Sequence, residues 1–264
     1  MVVDTRTQKI RFIKPEKSAL DMIIIDEHIE ETIIEIVDEK TSPEFATDII
    51  CRKNSRVQYV CAFLDAKAGG LKNKRSITIE DGVELTSTYF YFGGETCEAH
   101  NHFRIHGRAR VNHKVLFFAN NSQTFNIQEN FEFQKPDSFG RFIVKGLTAN
   151  EAESKYVGNI AINPGAQKTD SRLEIHSFIL GTRAKSQMVP QLQIEANNVK
   201  AGHAATLSRL DDEQLFYLRS RGLKKNEAAQ LFIEGIFYDA VMKIQDQKTV
   251  HHIMDTVRKK YSTL

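Results

Sequence analysis

From about Ala19 to Leu207 the apolar residues of this chain come in short β-rich runs: MIIID, ETIIEIV, ATDIIC, VQYVCAF, SITI, TYFYF, KVLFFA and GRFIVKG. Runs of this length, rich in Ile, Val, Phe and Tyr and without helical periodicity, suit strands that bury at least one face. Between them stand turn formers such as Arg52-Lys53-Asn54 and Glu80-Asp81-Gly82. A sandwich, a barrel and a solenoid all give short strands with turn signals, so the pattern leaves these three open. No strict hexapeptide or nonapeptide repeat stands out, which disfavours a highly regular β-helix and leaves an irregular one. After Ser208 the pattern changes: Leu215, Leu218, Leu223, Ala228, Leu231, Phe232, Gly235 and Ile236 recur at three- and four-residue intervals. Two or three helices are expected. Asp211 reads as an N-cap with Gln214 three residues on, Gly222 as a C′ glycine, Asn226 as the next cap, and Thr249 to Lys260 as a third helix.

With 264 residues and a 41% hydrophobic content, the chain can bury a sizeable core without staples. Thirty-six basic against 34 acidic residues leave a formal charge of +2, so nothing pulls strongly towards nucleic acid or an anionic membrane. The cysteines Cys51, Cys61 and Cys97 are far apart and form no CxxC pair, which argues against a disulfide framework and structural zinc and fits a reducing cytosol. The first residues, MVVDTRTQKIRFIKPEK, lack the apolar core of a signal peptide. No stretch approaches the roughly 20 apolar residues that span a bilayer. A soluble, cytoplasmic protein is the expectation.

Three linked segments carry a resemblance: SKYVGNIAINPGAQKTD from Ser154, VPQLQIEANNVKAGHAATLSRLDDEQ from Val189, and LFYLRSRGL from Leu215 to Leu223. In order and spacing they resemble the core of the SufB/SufD family, and FEFQKPDSFGRFIVKG upstream resembles the strand, turn and strand before its lysine-glycine pair. The resemblance implies a right-handed parallel β-helix followed by a small helical domain. The division would be an N-terminal extension over 1–18, a β-helix core over 19–208 and helices over 209–264. It implies a non-enzymatic scaffold on which an iron-sulfur cluster is transiently assembled, with a SufC-like ABC ATPase as partner. Leu215, Phe216, Tyr217, Leu218, Arg219, Arg221 and Gly222 would lie at or near the ATPase contact. Two scaffold subunits would pair through their β-helices, as a homodimer or with a SufB-type chain.

The functional histidine of SufD-type chains falls on His203. The nearby family cysteine is replaced by Ala201, the two glutamates flanking the equivalent SufB histidine are Gly202 and Ala204, and the SufB cluster-assembly cysteine falls on Ile175. The site therefore resembles SufD more than SufB. An imidazole nitrogen is a competent iron ligand, but clusters generally need several Cys or His ligands. A histidine bonded to backbone near the strand-to-helix junction is the plainer reading of the same residue.

A second constellation is Cys97, His100, His102 and His106 in GGETCEAHNHFRIHG. On a strand His100, His102, Arg104 and His106 share one side, so two imidazoles at i and i+2 could chelate one metal. With Gly94 this also resembles the opening of a cupin metal motif, which makes a metal-dependent cupin enzyme the alternative function. The glutamate expected to follow is absent, and a solvated polar strand face is the competing reading. Cys51 and Cys61 read as core residues. Cys97, after a glycine-containing turn, is expected to be more exposed, which opens a persulfide-relay role. NPGAQKTD lacks the spacing of a phosphate loop and reads as a turn, and with no Walker motif any nucleotide hydrolysis falls to a partner. The basic residues Arg219, Arg221, Lys224 and Lys225 are read as solvated helix ends. A third reading is a structural partner that only positions a SufB-type chain.

Overall fold

The computed structural model describes residues 9–13, 20–37, 44–64, 70–210 and 212–264. Fifteen strands alternate between two sheets. One holds β1 (Lys9–Ile13), β3 (Glu30–Val37), β5 (Arg56–Phe63), β7 (Glu84–Tyr91), β9 (Arg110–Ala119), β11 (Phe139–Ala149), β13 (Asp170–Leu180) and β15 (Lys200–Arg209). The other holds β2 (Leu20–Ile25), β4 (Glu44–Cys51), β6 (Gly70–Ile79), β8 (Thr96–Ile105), β10 (Thr124–Phe133), β12 (Glu153–Ile162) and β14 (Lys185–Ile194). Each strand pairs in parallel with the strand two along, so the chain winds as a β-solenoid. Lys9–Ile13, inside the stretch read as an extension, pairs with β3, and the rest of that stretch lies outside the described residues.

Parallel stacking in register places like above like. Ile23, Ile49, Ile77, Phe103, Phe131, Ile160 and Leu192 form one inward column across the second sheet. The first six are buried, and Phe131 stacks on Phe142 of the facing sheet at 3.7 Å between ring centroids. At one corner of each turn a residue adopts positive φ: His28, Asn54, Gly82, Arg108, Asp137 and Lys168 in succession. Each donates its N–H to a carbonyl of the next turn, as in Asn54 to Asp81 at 3.1 Å and Gly82 to Gly107 at 3.1 Å. The Arg52-Lys53-Asn54 and Glu80-Asp81-Gly82 turns are two members of this column. The repeat is hidden in the sequence because its length varies: pairing advances by 26 residues from Glu31 to Val57 and by 31 from Gly140 to Ser171.

The strands of the second sheet alternate buried and half-buried positions. In the first sheet β5, β7, β9 and β11 are buried on both faces towards their C-terminal ends, as in KVLFFA of β9, because helices cover that part of the outer face. These are α1 (Asp212–Ser220), α2 (Lys225–Val241) and α3 (Gln247–Tyr261). Helix α1 ends as expected. Gly222 takes φ 96° with its N–H on the Arg219 carbonyl, and the Leu223 N–H reaches the Leu218 carbonyl, a Schellman termination. Asn226 is not a cap: α2 begins one residue earlier, and the Glu227 carboxylate accepts from the Lys224 N–H at 2.8 Å, closing the turn before Asn226 could. Helix α3 is capped by Asp246, which accepts from the Thr249 N–H at 2.8 Å. The Asp211 cap lies outside the described residues.

The helices share a second core with the sheet. Phe237 of α2 packs between Phe92 at 5.3 Å and Phe118 at 6.2 Å, with Ile233, Val241, Ile253 and Val257 buried around it. We expect Phe237→Ala to cost about 3–5 kcal/mol in denaturant unfolding, since the cavity would open where the helices meet the solenoid.

Candidate functional site

Among the described residues the solenoid ends at β14 and β15, each of which pairs with a strand on one side only. Their outer backbone groups form an open edge on each sheet, the kind of edge that a second chain can extend. His203 lies on β15 in register with Leu173, an inward core position one turn back. With no turn stacked beyond it, the imidazole is exposed, and it makes no side-chain hydrogen bond or ion pair among the described residues. Around it Ala201, Gly202 and Ala204 are half-buried, and a Cβ added at Gly202 would meet nothing within 4 Å. Ile175 sits at the core on β13 in register with Ala205 and is fully buried. Leu207 and Ile194 are exposed at this same end, 52% and 43%.

Cys97 and the histidines are not brought together. Successive residues of β8 alternate faces, so Cys97 points inward and is buried while His100 and His102 line the outer face. Each imidazole is engaged by a carboxylate: His102 with Glu132 at 2.9 Å and His100 with Glu98 at 3.3 Å. β8 ends at Ile105, so His106 stands in the corner, where its carbonyl accepts from Ser138. The expected exposure of Cys97 is overturned. Burial pushes its thiol up to about 12, as it does that of Cys51, and Cys61 is raised by burial too. None of the three offers a thiolate near neutral pH. The all-parallel pairing also removes the cupin reading, since a cupin is a jelly roll of antiparallel strands. Among the described residues no group of three or more His, Cys, Asp or Glu side chains is arranged to hold a metal ion.

The residues read as an ATPase contact divide by direction. Leu215 is buried and Leu218 packs against the same helix-sheet core, so these two anchor α1. Phe216 and Tyr217 point outward at 68% and 64% exposure, with Arg221 over the Tyr217 ring at 5.4 Å. Arg219 and Gly222 are exposed beside them. Helix α2 adds Leu231 and Tyr238, and its C-cap Met242 continues the same exposed stripe at helical spacing, with Gly235 between.

Sequence reasoning missed a charged network inside the solenoid. Arg75 is fully buried and donates to Glu35 at 2.6 Å, while the Tyr59 hydroxyl donates to the same carboxylate. Rings of Phe45, Phe63 and Tyr89 lie 5.1–5.5 Å from the guanidinium. One rung along, Asn101 donates to Glu129 at 2.9 Å, as Tyr156 does, and His113 bridges Glu129 and Ser87. Burial, then the Glu35 charge, holds the Tyr59 phenol well above its usual range. The available signal was parity: Glu35 stands between Ile33 and Val37 on the inward side of its strand.

A parallel solenoid with an open strand edge and an outward-facing apolar helix surface is the class of protein these observations define. The family model of the SUF system FeS cluster assembly SufBD core domain matches residues 18–236, and the chain belongs to that family. SufD of Escherichia coli (strain K12), an iron-sulfur cluster assembly protein, is 26% identical over 74% of this chain and 46% of its own length. A SufBD family protein of Mycobacterium leprae is 34% identical over 49% of this chain and 35% of its own length. SufD of Bacillus subtilis (strain 168) is 29% identical over 56% and 34%. The chain thus spans about a third to under half the length of these relatives.

Two outcomes check this geometry. A thiol reagent such as DTNB at pH 8 should leave all three cysteines unmodified in the native protein and titrate all three in denaturant. Arg75→Met should cost about 3–5 kcal/mol in unfolding by stranding the Glu35 charge, and Glu35→Leu added to it should recover most of that loss.

Proposed function

We propose that this chain is a scaffold subunit of a SUF-type iron-sulfur cluster assembly complex, without catalytic turnover of its own, working in the cytoplasm. The observation that carries the reading is the family match over residues 18–236 together with an exposed His203 on the terminal strand β15, which pairs on one side only. His203 would contribute one ligand to a cluster that is cargo and not a resident cofactor. The remaining ligands would come from the chain docked against β14 and β15, a second copy or a SufB-type scaffold, because this end supplies no thiolate. A SufC-like ABC ATPase would dock on the helices through Phe216 and Tyr217, with Arg219, Arg221 and Gly222 beside them, while Leu215 and Leu218 hold α1 in place. No nucleic acid or membrane has a part, in line with the near-neutral charge and with the absence of a helix among the described residues long and apolar enough to cross a bilayer.

A second reading is favoured by Ile175 and the alanine and glycine neighbours of His203: the chain only positions a SufB-type partner that holds the cluster. Anaerobic reconstitution of the complex, with iron and sulfide counted and visible spectra recorded, separates the two. Loss of cluster in His203→Ala is expected, and unchanged yield would leave the positioning role alone. For the ATPase, Phe216→Ala with Tyr217→Ala should weaken binding by about 2–4 kcal/mol in calorimetry.

A further inference from the structure

The outer face of the first sheet is only half covered by the helices. Over the N-terminal halves of β5 to β13 it forms the floor of a groove of about 580 Å³, walled on one side by Ala240, Lys243 and Ile244 where α2 gives way to α3. That wall is tied down: Gln58 Nε2 donates to the Lys243 carbonyl at 2.9 Å. The floor mixes Val60, Thr88, Asn112 and Ile143 with the charged Arg141, Arg172 and Glu174. A smaller crevice of about 90 Å³ opens beside it between Lys114, Lys145 and Asp239.

Three cations meet here from three elements: Lys114 on β9, Lys145 on β11 and Lys243 beyond α2. The other cations that line this groove are paired, Arg141 with Asp170 at 2.8 Å and Arg172 with Glu174 at 2.5 Å. Lys114, Lys145 and Lys243 form no ion pair with a described carboxylate. Lys114 and Lys243 approach closely enough to interact directly, with only Asp239 opposing their repulsion. Partial burial and the two neighbouring ammonium groups lower the Lys114 pKa. Lys243 stands just past the α2 C-terminus, where a cation is favoured by the helix dipole, but that accounts for neither Lys114 nor Lys145.

We propose that this groove is a binding site for a small phosphorylated molecule, its phosphate held by Lys114, Lys145 and Lys243 and its organic part lying over Val60, Thr88 and Ile143. Charge concentrated at one point suits a compact polyvalent oxyanion, whereas the carboxylates of an acidic peptide would be spread along the groove. The volume falls in the ordinary range for small-molecule sites, with a floor of mixed polarity and converging cationic groups at one side. The site is independent of the assembly role of His203.

The test is calorimetric titration of the full chain with inorganic pyrophosphate, at ionic strength matched with chloride. Saturable binding is expected, weakened by about tenfold or more in Lys114→Gln plus Lys243→Gln. It should be unchanged in Lys72→Gln, which alters a cation paired with Glu98 on the opposite sheet. Lys243→Gln alone, at an exposed position that the fold does not bury, should weaken it by a smaller factor and covers the case in which the double variant is poorly folded. Absence of binding at matched ionic strength, or affinity unchanged in the Lys243 variants, overturns the proposal. So does binding of poly-glutamate without pyrophosphate, which would make the groove a peptide site.

Discussion

Every turn of this molecule is held to the next by in-register parallel pairing, and that register governs what each side chain can do. A residue on an inward column must fit against its equivalents above and below, so the interior is built of continuous stacks of Ile, Phe and Val. The same ladder cannot close on itself. It stops at β14 and β15, and the final turn places His203, Leu207 and Ile194 in solvent although their column positions are those of core residues. The exposure of the candidate site follows from its being the last rung.

Register also explains the polar interior. Arg75, Asn101 and Glu129 occupy one column of the second sheet, facing Tyr59, Ser87 and His113 from the first. The Arg75 and Glu35 charges are therefore matched across the lumen, and Asn101 links the next rung to Glu129 by a hydrogen bond. A buried ion pair adds little net stability, but it penalises a slip by one residue, which would strand a charge among rings and aliphatic chains. We read the Glu35–Arg75 pair as a register device in a fold whose turns are otherwise alike.

The helices answer a different constraint. The first sheet carries an apolar band on its outer face, from Ile34 through Val60, Phe90, Leu116 and Leu147, and α1 to α3 bury it with Phe237 and Ile233. Their length covers half of that face and leaves the other half as the lysine-flanked groove. One packing arrangement thus produces two surfaces: the outward side of α1 and α2 with Phe216, Tyr217 and Met242, and the groove beneath the α2 end.

Strand content, the switch to helices near residue 210 and the Gly222 termination were legible in the sequence, because alternation, helical spacing and a left-handed glycine are local properties. Family membership was legible through the segments that build β12, β14, β15 and α1. What local pattern could not reveal was decided by stacking. Pairing that advances by 22 residues from Lys9 to Glu31 and by 32 from Glu153 to Lys185, with His, Asn, Gly, Arg, Asp or Lys at the positive-φ corner, leaves no repeat to see. Cys97 followed a glycine-containing turn and read as accessible, yet its inward parity buries it and parts it from His100 and His102. The sequence by itself determined which segments are strands and which are helices. Only the tertiary structure decided which strand is last, and hence which histidine is exposed and which charges are enclosed, because burial in a solenoid depends on what stacks on the next rung.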